Sequence, residues 1–394
     1  MMSYLPKEEL ARRIASFQSS LQKQEVDGAL LIQNVDVYYF SGTMQRAHLF
    51  IPASGEPVLM IKRSYVRAVE ESALERVVHM ENPKDILPVL KSHGYDSLKT
   101  VGMELDVLPV AQHARYGKML AGVKIVDVSP AIRNLRMIKS PYEIGLLKKC
   151  SELNSEIYGM MKELIREGVS ELKLAGEIEA LYRERGSSAL LRLRGFNQEL
   201  TYGHLLSGSN TAVSSYFDGP TGGMGPDPAY PQGAGFRLVQ RNEPLMIDYG
   251  FVYYGYASDQ TRVFCLGELP DRLLQAYDAA RQILYRLAEM GKPGVSCESL
   301  YHTALEMAEN FGFGGNFMGY PEKVTFVGHG IGLELDELPV AAAGVKTPLA
   351  EGMIIAIEPK IILPGGAVGI ENTYLVTGDG MESITDFEED IIYV

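Results

Sequence analysis

The stretch GVSELKLAGEIEALYRERG, residues 168–186, returns in outline 126 positions later as GVSCESLYHTALEMAENFG, residues 294–312. In each copy a glycine ends one helix, a serine caps the next helix, and a second glycine ends that helix. A longer helix is predicted before each copy. We therefore predict a duplicated helix–helix–sheet half, and with it a pseudo-twofold α+β domain that covers residues 135–394. Chance similarity between two sets of helix caps is the alternative.

The helix before the first copy has a strong start signal. Ser140 suits the N-cap, Pro141 the first helical position and Glu143 the third, which together satisfy the exposed N–H groups of the first turn. We expect this helix to continue to about Glu167. Its counterpart before the second copy is predicted from about Pro270 to Met290.

Residues 1–134 show a different pattern, in which helix and strand signals alternate. Leu10, Ile14, Phe17 and Leu21 recur at helical spacing and predict a helix from Lys7 to about Lys23. The other predicted elements are a strand at 29–32, a hairpin across 49–61, helices from about 83 and at 109–120, and strands at 100–103 and 123–128. This order predicts an α/β domain.

The composition is that of a globular protein and argues against several classes. At 394 residues, with 46% hydrophobic and 22% charged residues, the chain is too long for one core and too apolar for disorder. The net charge of -13 argues against a nucleic-acid partner, and no apolar run approaches the roughly 18 residues of a membrane helix. The apolar stretch of a secretory signal is not seen, so we expect a cytoplasmic protein. The three cysteines are widely spaced and suggest neither a disulfide framework nor a cysteine-based zinc site.

Residues 219–235, between the two predicted halves, are rich in glycine and proline. Neither helix nor strand tolerates this composition, so we predict a long loop. The segment lacks Gly-Lys-Ser/Thr and is not a phosphate-binding loop. Because long loops in compact domains are often functional, it is our candidate for an element that shapes a substrate site.

Four carboxylates lie in apolar strand segments, where a charge is costly unless it is paired or bound to a metal. Asp248 closes one apolar run, and Asp259 follows 11 residues later in the predicted return strand. Glu358 and Glu371 lie in a second pair of apolar runs. Any one of these carboxylates could be an ordinary strand-end or ion-paired acid. Four of them in apolar segments favour a metal site.

The turn Pro364-Gly365-Gly366 predicts a hairpin whose register places Glu358 opposite Glu371. Two carboxylates with Cβ atoms about 5 Å apart repel each other unless they share a proton or a cation. His329 lies among glycines that allow a close approach of the backbone. Four carboxylates and an imidazole suit a pair of divalent cations.

These segments together carry a resemblance to a known family. The sequence Asp248-Tyr249-Gly250, the segment 256–262 (YASDQTR), the glycine-flanked His329, Ile357-Glu358-Pro359 and the segment 369–373 (GIENT) resemble the pita-bread metallopeptidases: prolidase, aminopeptidase P and methionine aminopeptidase. The likeness covers essentially the whole chain, because residues 1–134 resemble the creatinase/prolidase N-terminal domain of that family.

The resemblance implies a role for each residue of the cluster. Asp248 and Asp259 would bind one metal, His329 and Glu358 the other, with Asp259 and Glu371 bridging. A metal-bridging hydroxide would be the nucleophile and Glu358 the general base. We expect two divalent ions, manganese first, with cobalt, zinc and iron as alternatives. Relatives often dimerise, so we also expect a homodimer.

The outer part of the site departs from the family pattern. Ser215 stands where a histidine is usual after the Ser-Gly-x-Asn segment, and Asp336 stands where a second histidine follows the metal-binding one. His204, 11 residues before Ser215, is a possible substitute imidazole, although a hydrogen-bonded structural histidine is equally compatible. We keep His204, Ser215 and Asp336 beside Glu358 as candidate catalytic residues. For Arg262, pairing with a nearby carboxylate to hold the ligand strand is the favoured interpretation.

Three functions are compatible with these observations. The first is a dinuclear metal-dependent hydrolase of a small amide, an Xaa-Pro dipeptidase or aminopeptidase. The second keeps the metals but cleaves a non-peptide C–N bond, as creatinase and ectoine hydrolase do, and Ser215 and Asp336 favour it. The third is a binding module without catalysis, which the intact ligand set argues against because burying carboxylates together is costly.

Overall fold

A computed structural model describes residues 5–394 of the chain. The chain divides into two compact units, of which the first ends at Arg136 and the second comprises Met137–Val394. The sequence-based expectation placed this boundary at residue 134. Among the described residues, no helix has the length and apolar character needed to cross a membrane.

The first unit alternates helices and strands. Its elements are α1 (Lys7–Lys23), β1 (Gly28–Leu31), α2 (Asn34–Ser41), β2 (Ala47–Pro52), β3 (Val58–Ile61), α3 (Tyr65–Glu71), β4 (Val77–His79), α4 (Ile86–Ser92), β5 (Thr100–Met103), α5 (Val110–Met119), β6 (Lys124–Asp127) and α6 (Ser129–Met137). The strands form one six-stranded mixed sheet in the order β4-β3-β2-β1-β5-β6. The α/β architecture predicted for this region is confirmed.

Helix α1 buries the apolar face that its sequence pattern predicts. Leu10, Ile14, Phe17 and Leu21 are all buried, and Phe17 stacks on Phe40 of α2 with ring centroids 5.0 Å apart. The periodic apolar residues therefore form the buried face of α1, and this face packs against α2.

The second unit carries two long helix pairs, each followed by strands. Its elements are α7 (Pro141–Met161), α8 (Glu171–Glu184), β7 (Leu190–Leu191), β8 (Leu200–Thr201), β9 (Gly203–Ser207), β10 (Leu245–Tyr249), β11 (Val252–Tyr253), β12 (Tyr256–Ala257), β13 (Thr261–Cys265), α9 (Asp271–Met290), α10 (Cys297–Asn310), β14 (Phe326–Gly330), β15 (Glu337–Ala342), β16 (Ile354–Ile357), β17 (Lys360–Leu363), β18 (Gly366–Gly369), β19 (Asn372–Val376), β20 (Met381–Ser383) and β21 (Ile392–Tyr393). A four-stranded sheet, β21-β13-β10-β9, belongs to the first half and a five-stranded sheet, β15-β14-β16-β19-β20, to the second.

The duplication is visible in the backbone. Ser170 and Ser296 both stand at the N-cap, but only Ser170 accepts a first-turn N–H, that of Lys173, so the predicted side-chain cap at Ser296 is not formed. Val239 donates its N–H to the carbonyl of Val169 at 2.8 Å, and Leu349 donates to Val295 at 2.8 Å in the second half. Helices α8 and α10 are both 14 residues long. The glycines that bound them all have positive φ, between +77° and +92°: Gly168, Gly186, Gly294 and Gly312. The predicted pseudo-twofold α+β architecture is confirmed.

Helix α7 begins as predicted but ends earlier than predicted. Ser140 and Glu143 form the reciprocal capping box at its start, but the helix ends at Met161 rather than at Glu167. The chain turns after Met161 and buries Ile165 and Val169 in the core of the first half. Burial of these two side chains outweighs the helical propensity of the intervening charged residues.

Candidate metal centre

The five predicted metal ligands come from both halves of the second unit and line one cavity of about 50 Å³. Asp248 lies near the end of β10, His329 lies on β14, and Asp259 lies two residues before β13 rather than in the return strand itself. Glu358 directly follows β16 and Glu371 directly precedes β19. The cavity therefore lies where strands of the two duplicated halves meet.

Strand register explains why the two glutamates face the same cavity. In the hairpin of β17 and β18, Lys360 pairs with Gly369 and Leu363 with Gly366, which is the register predicted from the turn. Beyond the hairpin, the N–H of Glu371 donates to the carbonyl of Thr261 at 3.2 Å, which links β13 of the first half to the second half.

His329 presents one ring nitrogen to the carboxylates. Its Nδ1 lies 3.1 Å from the carbonyl oxygens of both Gly330 and Leu335. A proton on Nδ1 satisfies these acceptors and leaves the lone pair of Nε2 free, which is the tautomer of a metal-binding histidine. Nε2 lies 3.7 Å from Asp259 Oδ2 and 3.9 Å from Glu371 Oε1.

Without a cation, the charges of this cluster would repel one another. Burial together with the carboxylates of Glu371 and Asp248 raises the pKa of Asp259 well above its ordinary value. Burial raises the pKa of Glu371 to about 8, with Asp248 and Glu358 adding to the shift and Lys360 opposing it. Burial alone would lower the pKa of His329, but neighbouring carboxylates outweigh it and raise the pKa.

The donor set fits a divalent cation at one end of the cluster. Asp259, His329 and Glu371 each offer one ligand atom, and these atoms lie within 4.8 Å of one another. Among residues 5–394, the buried Oε1 of Glu371 finds no hydrogen-bond partner. Buried polar atoms are normally satisfied, so an acceptor left open beside an imidazole lone pair indicates a place for a cation.

Lys360 is a member of the cluster that the sequence analysis missed. Its Nζ donates to Asp248 Oδ2 at 2.8 Å and to Glu358 Oε2 at 2.7 Å, and it lies 3.6 Å from Glu371 Oε2. Burial would lower the pKa of this ammonium, but the three carboxylates outweigh burial and raise it well above its ordinary value. Lys360 in turn outweighs the effect of burial on Asp248 and lowers the pKa of that carboxyl. A lysine in the apolar run 354–363 is the signal that could have found it.

Hydrogen bonds from the surrounding strands hold Glu371 in place. The Thr261 hydroxyl donates to Glu371 Oε2 at 2.7 Å. The buried guanidinium of Arg262 donates to the carbonyl of Glu371 at 2.8 Å and to Asn372 Oδ1 at 2.8 Å. Its remaining hydrogen bonds go to backbone carbonyls, so the predicted pairing with a carboxylate is wrong, although Arg262 does hold the strand that carries Glu371.

The three outer candidates lie in different environments. His204 lines the carboxylate cavity, and its buried Nε2 finds no hydrogen-bond partner among the described residues. Asp336 also lines that cavity, with Oδ1 3.4 Å from His329 Nδ1 and a half-exposed side chain. Ser215 is not among the residues that line it and lies instead in a neighbouring cavity, where its hydroxyl accepts the N–H of Phe217 at 3.2 Å. Burial lowers the pKa of His204, which keeps its imidazole neutral.

Residues 219–235 form the long loop that the composition predicts, without helix or strand. The loop joins β9 to β10 within the first half, so its predicted position between the two halves is wrong. Gly219, Pro220 and Thr221 line the carboxylate cavity beside Phe217. The later part of the loop lines the neighbouring cavity with Ser215. One end of the loop therefore forms part of the cavity wall that holds the metal-ligand cluster.

Comparison with known proteins identifies the family of this chain. Residues 145–378 match the model of metallopeptidase family M24, and residues 13–138 match the creatinase/prolidase N-terminal domain. The chain belongs to metallopeptidase family M24. It is therefore a metallopeptidase by family, and the family resemblance found in the sequence is confirmed.

Relatives of this M24 chain extend over its whole length. It is 28% identical to an Xaa-Pro dipeptidase of Pyrococcus furiosus over 97% of this chain and 100% of that protein. The prolidase structure from Pyrococcus horikoshii OT3 superposes with a TM-score of 0.81 at 26% identity, covering 97% of this chain and 100% of the other. The X-Pro aminopeptidase of Thermotoga maritima shares the fold, with a TM-score of 0.79 at 24% identity over 98% and 99% of the two chains.

Proposed function

We propose that this metallopeptidase hydrolyses the amide bond of a short peptide, with an Xaa-Pro dipeptide as the first candidate substrate. The observation that carries the proposal is the convergence of Asp248, Asp259, His329, Glu358 and Glu371 on one cavity. Relatives that are named Xaa-Pro dipeptidases and match the full length of the chain support the substrate class.

Divalent metal at these residues would supply an activated water and polarise the scissile carbonyl. In this proposal Asp248, Asp259, His329, Glu358 and Glu371 bind the metal. Glu358 also accepts a proton during the reaction, and its salt bridge to Lys360 at 2.7 Å orients the carboxylate for that role. Thr261 and Arg262 are positioning residues, because they fix Glu371 through its side chain and its backbone.

The cavity wall supports a small substrate with an apolar part. Leu200, Phe217 and Leu335 line the same cavity as the carboxylates, and apolar side chains of this kind suit the ring of a prolyl residue. His204 contributes a neutral imidazole whose Nε2 is available to a substrate group. Asp336, half-exposed at the same cavity, favours a positively charged group such as the free amino terminus of a dipeptide.

A second candidate is hydrolysis of a non-peptide C–N bond. It is favoured by Asp336 and Ser215, which stand at the positions of the two expected histidines, and by the fact that Ser215 does not line the carboxylate cavity. Removal of one transition-state hydrogen-bond donor typically costs about 2.7–4 kcal/mol. A non-peptide amide with different hydrogen-bonding demands would avoid that loss.

The remaining parts of the proposal concern metal, assembly and location. Oxygen-rich donors suit manganese, and cobalt, zinc and iron are the alternatives. We propose a homodimer by likeness to the family. A cytoplasmic location is supported by three cysteines that are all free and buried, as in a reducing compartment.

The experiment that tests the function is hydrolysis of Ala-Pro, Gly-Pro and Ala-Ala by metal-stripped protein reconstituted with manganese, cobalt or zinc. We expect metal-dependent cleavage of the two X-Pro members and none by Glu358→Gln. A metal-loaded protein that cleaves no member of the panel would reject the peptidase proposal and favour the non-peptide candidate.

A further inference from the structure

One end of the ligand cluster already contains a positive charge. The ammonium of Lys360 contacts Asp248 Oδ2 at 2.8 Å, Glu358 Oε2 at 2.7 Å and Glu371 Oε2 at 3.6 Å. Its side chain is 2% exposed. The oxygens that it contacts belong to three of the five predicted ligands. The Lys360 ammonium therefore offsets their negative charge, as a bound metal ion would.

The other end of the cluster is left open. Asp259, His329 and Glu371 offer ligand atoms within 4.8 Å of one another, and within the described chain Glu371 Oε1 has no hydrogen-bond partner. Glu371 thus directs one oxygen toward Lys360 and the other toward this open end. The two ends of the cluster are therefore chemically unequal.

Charge balance makes the same distinction. Two divalent cations would neutralise the four carboxylates by themselves, and the ammonium would then be an excess positive charge in a buried site. One divalent cation together with Lys360 leaves a net charge of about -1 on the cluster. This is closer to neutrality than the net charge of the carboxylates and Lys360 without a metal. Like charges that share a buried site repel strongly, so a second cation beside Asp248 competes with the ammonium.

The lysine is held in place by its strand. Its backbone pairs with Gly369 across the β17–β18 hairpin, and its carbonyl accepts the N–H of Met318 at 2.9 Å. A Cβ added at Gly369 would lie 2.4 Å from Lys360 Cγ, so the glycine leaves room for the lysine stem. The hairpin that sets the register of Glu358 and Glu371 therefore also fixes Lys360 between them.

We propose that Lys360 supplies part of the positive charge that offsets the four carboxylates of this cluster, in place of a second tightly bound cation. The chain then binds one divalent cation tightly, at Asp259, His329 and Glu371, and a second binds beside Asp248 by displacing the Lys360 ammonium. The inference concerns the number of tightly bound metal ions and does not depend on which amide is cleaved.

The first test uses the wild-type chain. Metal-stripped protein is titrated with Mn²⁺ by calorimetry, and bound metal is counted by elemental analysis after desalting. We expect one tight equivalent per chain, a second at least about tenfold weaker, and at one equivalent the electron paramagnetic resonance spectrum of an isolated Mn²⁺ ion. Two equivalents of equal affinity, or the spectrum of a coupled Mn²⁺ pair at low loading, would overturn the proposal.

The second test removes the charge and keeps the length of the side chain. Lys360→Met is expected to raise the affinity for the second Mn²⁺ by at least about tenfold. Lys139→Met is the matched control, because Lys139 is also buried and ion-paired, at 2.9 Å, but to Glu337 rather than to a predicted ligand. Unchanged second-site affinity in folded Lys360→Met would contradict the proposal, and if that variant does not fold, the wild-type titration still decides.

Discussion

The hydrogen bond from Thr261 to Glu371 offers a sensitive test of how this cluster binds metal. Thr261→Val replaces the hydroxyl by a methyl of similar size on a β-strand, where valine is well tolerated. The variant loses the 2.7 Å bond to Glu371 Oε2 and leaves that buried oxygen with Lys360, 3.6 Å away. The carboxylate is then freer to rotate away from Asp259 and His329.

The expected magnitude follows from the type of bond. A hydrogen bond to a charged group is worth about 1.5–3 kcal/mol, which corresponds to about 10–100-fold in affinity. Groups that orient metal ligands in other proteins have effects of the same size, about 10–100-fold. We therefore expect Thr261→Val to bind its first Mn²⁺ about 10–100-fold more weakly than the wild type.

The assay is competition for Mn²⁺ or Zn²⁺ against a chromophoric chelator, with thermal unfolding recorded to confirm that both proteins are folded. Thr377→Val is the matched control, since its hydroxyl donates to the carbonyl of Gly380 at 2.8 Å in the turn between β19 and β20 and contacts no predicted ligand. Metal affinity in Thr261→Val within about threefold of the wild type would refute the argument that Thr261 positions Glu371.

Three further predictions concern stability and substrate binding. Burial and Asp36 raise the pKa of Glu104 to about 8 from an ordinary 4.5, so the folded state retains a proton that the unfolded state loses, and the free energy of unfolding of the first unit should fall as pH rises from about 4.5 to about 8. Glu104→Gln should flatten that slope in denaturant titrations at several pH values, and a wild-type slope of zero in this window would contradict the assignment. His204→Phe should raise KM for the best substrate and leave metal content unchanged; an unchanged KM would assign His204 a structural role. Leu284→Ala, at a fully buried position of α9, should destabilise the second unit by about 2–5 kcal/mol in denaturant unfolding, and a loss below about 1 kcal/mol would show that the core there repacks.

Local chemistry made much of this protein predictable. The capping box at Ser140, the repeat glycines and the two-residue turn at 364–365 act over a few residues, so their structural consequences can be inferred without knowledge of the remaining chain. The turn alone fixed the register that places Glu358 and Glu371 on one cavity. Four carboxylates in apolar segments then indicated a metal centre, because few other arrangements offset the free-energy cost of burying four negative charges together.

Tertiary contacts decided the features for which local signals were ambiguous or absent. The end of α7 at Met161 depends on the burial of Ile165 and Val169 in a core that the helix sequence does not specify. The placement of Ser215 outside the carboxylate cavity depends on the path of a glycine-rich loop, which has many accessible conformations.

The position of Lys360 was predictable from the sequence only in part. Side chains two positions apart in extended backbone point to the same side, so the spacing of Glu358 and Lys360 in the sequence predicts that they are neighbours. Which carboxylates the ammonium contacts depends on how two duplicated halves, distant in sequence, bring Asp248 of one beside the hairpin of the other. The sequence by itself predicted the five candidate ligands and the strands that they lie in or adjoin. The assembly of the two halves determined the charge that lies among them, because electrostatic interactions depend on distances in space and not on separation along the chain.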